Sequence, residues 1–90
     1  MQQLEIKVTG KVQGVGFRYF VKNKANEFDI KGWVRNTNDG GVFIVAEGEE
    51  SDINTFVDWV NQGPQLSRID KLTINRFDKL SRFKVFEIRF

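Results

Sequence analysis

The 90-residue chain has no cysteine and no histidine, and only one proline and one methionine. Without cysteine there is no disulfide framework, so a reducing, cytoplasmic setting is the default expectation. The two absences together exclude thiol catalysis, a Ser-His-Asp triad and the usual zinc sites. Long apolar runs are missing too. The longest is "VFIVA" at residues 42–46, far short of the ~20 residues that cross a bilayer. The opening "MQQLEIK" lacks the apolar stretch of a signal peptide. No membrane association is expected. The acidic stretch "EGEESD" lacks the spacing and glycine of a calcium loop, so neither a metal nor another cofactor is expected.

What is present is an ordinary globular composition, 40% hydrophobic and 29% charged. Nine phenylalanines and two tryptophans supply much of the core volume. The length suits one domain over residues 1–90, with no repeat or linker, and a monomer is expected. Charge is unevenly placed. Residues 1–38 carry seven Lys/Arg against three Asp/Glu, and residues 66–90 repeat that balance. Residues 39–65 carry six Asp/Glu and no Lys/Arg. The first third therefore suits an anionic ligand.

Periodicity gives the order of elements. "LEIKVTG" alternates with Leu4, Ile6 and Val8 on one face, a strand. Phe17, Val21, Ala25 and Phe28 share one face of a helix. "IKGWVRN" and "VFIVAEG" read as strands around the turn "NTNDGG", the second of them central in its sheet. Ser51 is the expected N-cap of a second helix, with Ile53, Phe56, Val57 and Val60 on its apolar face and Gly63-Pro64 ending it. "RIDKLTINRF" and "KVFEIRF" complete the pattern as strands joined by a polar turn near Ser81. The order β-α-β-β-α-β plus a C-terminal strand predicts an α+β, ferredoxin-like split βαβ sandwich, with two helices on one face of an antiparallel-rich sheet. In that topology the first and second strands run parallel. Their ends, near Gly10 and Asn36, share one sheet edge about 10 Å apart.

Between the first strand and the first helix lies "KVQGVGFRYF". It is neither a dinucleotide fingerprint, because Tyr19 stands where the third glycine belongs, nor a P-loop, because Gly10-Lys11 is followed by Val12. Gly14 and Gly16 suit a nest of inward N–H groups at a helix N-terminus, and Arg18 adds a fork matched to phosphate oxygens. A plain β-to-α turn with a surface arginine has the same spacing. Asn36 likewise suits either catalysis or the first position of a hairpin turn. "QGVGFRYF" also partly matches the RNA-recognition octapeptide. That octapeptide belongs on a central strand, and the central strand here offers only Phe43 for stacking. No nucleic-acid partner is expected, although a non-catalytic RNA- or anion-binding module remains the alternative.

"GKVQGVGFRYFV" followed by "KGWVRNTNDGGVFIVAEG" resembles the acylphosphatase family. Gly10, Val12, Gln13, Gly14, Val15, Phe17 and Arg18 match its loop signature, and Gly32, Val34, Asn36, Gly40, Val42 and Gly48 match its downstream one. The resemblance covers the whole chain and departs mainly at "QLSRIDK". It implies metal-independent hydrolysis of small acyl phosphates to a carboxylate and inorganic phosphate, without a cofactor. It also implies that Arg18 and the main-chain N–H groups of Gly14, Val15, Gly16, Phe17 and Arg18 hold the phosphoryl group. Asn36 is implied to position the attacking water. A related domain occurs inside larger carbamoyl-transfer maturation proteins, and this chain's length suggests the stand-alone form. Tyr19 and Trp33 read as packing residues or as walls of the pocket.

Overall fold

The computed structural model describes residues 1–90. Five strands and two helices follow in the order β1 (Gln2–Lys11), α1 (Phe17–Glu27), β2 (Lys31–Asn36), β3 (Val42–Gly48), α2 (Glu50–Gln62), β4 (Arg68–Phe77) and β5 (Phe86–Arg89). The strands form one sheet in the order β4-β1-β3-β2-β5. β3 lies at its centre and pairs antiparallel with β1 and with β2, which makes those two parallel to each other. The ferredoxin-like α+β arrangement expected from the pattern is present.

The period of two decides which face is covered. Leu4, Ile6 and Val8 of β1 stand opposite Ala46, Ile44 and Val42 of β3 and are fully buried with them. Phe17, Val21 and Ala25 of α1 and Ile53, Phe56 and Val60 of α2 belong to the same core cluster. Each helix thus lays its i, i+3, i+4 stripe on one face of the sheet. Phe28, expected on the α1 stripe, follows the helix as its C-cap and is partly buried against the core.

Three expectations need correction. The α2 N-cap is Glu49, not Ser51, and no side chain caps it. Glu50 and Asp52 lie in the first turn, where carboxylates oppose the positive end of the helix dipole without a hydroxyl cap. The last strand spans Phe86–Arg89 rather than residues 84–90. The connection near Ser81 is not a tight turn. β4 pairs with β1 on one edge and β5 runs parallel to β2 on the other, so residues 78–85 cross the sheet between them. β4 and β5 run antiparallel to each other but lie on opposite edges of the sheet, so no tight hairpin can join them.

Glu47 pins this crossing. It is 1% exposed, and its carboxylate accepts from the N–H groups of Ser81 and Phe83 and from Gln3 Nε2. A buried carboxylate is tolerated when its lone pairs are filled in this way. The strap therefore lies at the end of the sheet where β1 begins and β3 ends. The opposite end, where β1 and β2 finish, is left to the glycine loop.

Candidate active site

At that free end, Val12, Gly14, Gly16, Phe17, Arg18, Tyr19 and Asn36 line a cleft of about 130 Å³. Two pieces of chain far apart in sequence build it: the loop that leads into α1, and the last residue of β2. Gly14 and Gly16 have φ of 74° and 77°. A Cβ at either would meet nothing within 4 Å, so the left-handed backbone, and not crowding, is what calls for glycine. The N–H groups of residues 14 to 19 donate to no protein acceptor, and the first helical bond of α1 is Phe20 N–H to Gly16 O, at 3.0 Å. A run of free amides at a helix N-terminus is a ready anion cradle.

Arg18 stands in the first turn of α1, half-exposed, and pairs with no carboxylate. Its Nη1 donates to Arg89 O at 3.3 Å, and its guanidinium lies 4.6 Å from the centre of the Phe90 ring. These contacts steady the fork and leave its charge uncompensated. Asn36 shares the cleft, and its side-chain amide makes no hydrogen bond within the protein. An amide left half-exposed without a partner offers both an acceptor and two donors to whatever occupies the cleft.

Of the residues expected at the site, Gly14, Gly16, Phe17, Arg18 and Asn36 line the cleft together. The Val15 side chain packs against the core instead. Tyr19 is a cleft wall, 64% exposed. Trp33 is not: it alternates with buried Val34 and lies on the other face of the sheet, packed on Phe43 and stacked by Arg89 at 4.6 Å.

One positioning residue went unread. Gln13 Nε2 donates to Thr37 O and to Gly41 O, both at 2.8 Å. Those carbonyls belong to the turn that follows Asn36, so Gln13 sets the distance from the loop to that strand end. The turn is itself braced. Lys7 Nζ donates to the Thr37 hydroxyl and the Asp39 carboxylate at 2.9 Å, Thr37 Oγ1 donates to Asp39, and Gly41 N–H reaches Asp39 Oδ1 at 3.1 Å. The Thr37 hydroxyl first, then Lys7 and the Gly41 amide, hold the Asp39 carboxyl well below the usual carboxylate range. The only sequence signal for Gln13 was its place inside the loop motif. Nowhere do three His, Cys, Asp or Glu side chains gather as a metal-ligand group.

Fold and loop together give an α+β domain with a cleft beside unpaired loop amides at the open end of its sheet. The acylphosphatase family model matches residues 4–88, and the chain belongs to that family. It is 42% identical over 88 residues to an acylphosphatase of Mannheimia succiniciproducens, covering 98% of each chain. The crystal structure of acylphosphatase from Bacillus subtilis superposes with a TM-score of 0.98 at 40% identity, over 100% of both chains. Full-length HypF, in a phosphate- and nucleotide-bound form, contains a similar unit (TM-score 0.88, 37% identity), which matches 99% of this chain and 12% of HypF.

Proposed function

We propose that the chain hydrolyses the carboxyl–phosphate bond of small acyl phosphates, with the phosphoryl group in the cleft between Arg18 and the free amides of residues 14 to 19. The observation that carries this reading is the convergence of unpaired donors: a run of main-chain N–H groups, a guanidinium without a carboxylate and an amide without a partner, all on one cleft. Arg18 spans two phosphoryl oxygens as a fork, and the amides take the remaining negative charge.

Asn36 holds the attacking water through its side-chain oxygen, while its amide N–H₂ faces a phosphoryl oxygen. The water oxygen bonds to phosphorus as the bond from phosphorus to the acyl oxygen breaks. The electron pair of that bond leaves on the carboxylate, and the water's proton passes to the phosphate being formed. A carboxylate is a good leaving group, with a parent acid of pKa about 4. No side chain need protonate it, and positioning with electrostatic stabilisation carries the reaction. The substrate is a small molecule and the other product is inorganic phosphate, with neither metal nor nucleic acid required. The absence of cysteine favours a cytoplasmic enzyme, and we take residues 1–90 as one monomeric domain.

The test is phosphate release from acetyl phosphate by the purified protein, beside a phosphomonoester. The reading requires cleavage of the first and none of the second. A binding module would take up inorganic phosphate and release none from either.

A further inference from the structure

Glu47 is a buried acid that the proposed reaction does not use, and it lies at the far end of the sheet from the cleft. On β3 it faces Lys31, while Val42 faces Asn36, so about 17 Å of strand separates it from the site. What it holds is the strap of residues 78–85. The N–H groups of Ser81 and Phe83 both donate to its carboxylate. Gln3 Nε2 donates to the same carboxylate at 2.8 Å and to the Ser81 hydroxyl at 2.9 Å. Between the two N–H groups sits Arg82, at φ 60°. A non-glycine residue in the left-handed region is strained, and it persists where its surroundings hold it. The strap's one other hydrogen bond to the sheet, Gly32 N–H to Val85 O at 3.0 Å, falls just where β5 begins.

β5 in turn reaches the cleft. It is an edge strand, paired with β2 alone. Its Arg89 carbonyl accepts the one hydrogen bond that the Arg18 side chain makes within the protein, at 3.3 Å, and the Phe90 ring lies 4.6 Å from that guanidinium. A slip of β5 by one residue would carry the carbonyl ~3.3 Å along the strand, out of hydrogen-bond reach. From this we infer that Glu47 is a positioning residue for Arg18: by fastening the strap it sets the register of β5, and with it the direction of the fork. The inference rests on the phosphoryl-binding role proposed for Arg18 above.

The experiment measures inorganic phosphate binding by calorimetry and acetyl phosphate turnover in the wild type, Glu47→Gln, Arg18→Gln and the double variant, with a urea titration of each. Glu47→Gln keeps the side chain's shape and one acceptor oxygen, but sets an N–H₂ against a main-chain donor. Its phosphate dissociation constant should rise and its kcat/KM fall by about tenfold, less than the ~10²-fold cost of a 1 Å misplacement because β2 still pairs with β5. In the Arg18→Gln background the same change should alter turnover by less than about twofold, since an absent fork cannot be misdirected. Ile53→Val, in the core beside Gly48 at the same end of the sheet, lowers stability without touching the strap and should leave phosphate binding as it is. Adding Arg82→Gly to Glu47→Gln relieves the left-handed residue and should recover part of the lost affinity. That pair also carries the test if Glu47→Gln alone is too unstable to assay. The positioning role is overturned, while hydrolysis stands, by unchanged phosphate affinity in Glu47→Gln, by an undiminished effect in the Arg18→Gln background, by an equal loss in Ile53→Val, or by stability that Arg82→Gly restores without affinity. A wild type that binds phosphate and cleaves no acetyl phosphate overturns the hydrolysis reading alone, and one that binds no phosphate overturns both.

Discussion

Gln13→Ala tests the coupling between the two halves of the site. The side chain makes two hydrogen bonds across the cleft's base, to Thr37 O and Gly41 O. Neither carbonyl is orphaned when they are lost, because Thr37 O also accepts from Gly40 N–H and Gly41 O from Thr37 N–H. The stability change is therefore that of two ordinary bonds, about 1–3 kcal/mol in total. In urea this lowers the midpoint by about 1 M with the slope unchanged. The kinetic effect is larger, since Gln13 is the direct side-chain tie from the loop to the turn after Asn36. A misplacement of ~1 Å between bound substrate and catalytic group costs on the order of 10²-fold. In the proposed mode of binding the phosphate contacts all lie in residues 14 to 19, outside the turn that Gln13 ties down. Hence kcat should fall about 10- to 100-fold in native buffer, while the inorganic phosphate inhibition constant changes by less than about threefold. Gln13→Glu should be worse than Ala, because it sets carboxylate oxygens against two carbonyls. If Gln13→Ala keeps wild-type kcat despite the lower urea midpoint, the brace is structural only and the loop holds its own geometry.

Arg18→Gln should lower turnover on the order of 10²–10³-fold with an unchanged circular dichroism spectrum, and Arg18→Lys should not rescue it, because a point charge lacks the fork. Asn36→Ala should lower kcat strongly and leave phosphate inhibition nearly unchanged; equal shifts in both would make Asn36 a second phosphate clamp. Activity should survive EDTA, and loss on chelation that magnesium or zinc restores would reveal a ligand set absent from the side-chain groupings described above. Asp39 has a depressed folded-state pKa. Its contribution to stability is thus complete above the unfolded value near 4 and is lost as pH falls through the lower folded value. The gap in urea midpoint between wild type and Asp39→Asn should close only below about pH 4, and a gap that stays constant down to pH 2 would remove this role.

Local chemistry and the placing of β3 between parallel β1 and β2 were legible, whereas the edge that β5 joins and the side-chain ties between distant residues were not. The alternation of Leu4, Ile6 and Val8, and the four-residue steps from Phe17 to Ala25, each report one face of one element, and all are buried as expected. That Gly14, Gly16 and Arg18 come together was readable because the three lie within five consecutive residues, and they line one cleft. The position of β5 was not readable: its strand pattern is silent about which edge it joins, and only pairing with β2 fixes it. Glu47 left a faint signal, an acid inside the apolar run of β3. Acids are almost never fully buried without partners, yet its partners Ser81 and Phe83 are 34 and 36 residues away. Gln13 is similar, with acceptors 24 and 28 residues distant. The missing hydroxyl cap at Ser51 shows the opposite limit, where first-turn carboxylates made the local rule unnecessary.

The absences in the sequence and the geometry of the site express one constraint. A reaction whose leaving group departs as a carboxylate does not need a side chain that titrates near neutrality. The site presents a guanidinium, a side-chain amide and main-chain N–H groups, and offers no His or Cys. Such a site has no chemical reserve with which to offset poor placement: its rate rests on where fixed donors point. The structural weight therefore shifts to what holds those donors. Two positive-φ glycines shape the loop that carries the unpaired amides. The helix carries Arg18, and a neutral side-chain amide ties loop to turn with two 2.8 Å bonds. The ionised pair Lys7–Asp39 braces that turn from the outside, at 2.9 Å, and does not line the cleft. Charge is thus used where it stiffens the frame, and the one charged side chain on the cleft is Arg18, proposed above to hold the phosphoryl group.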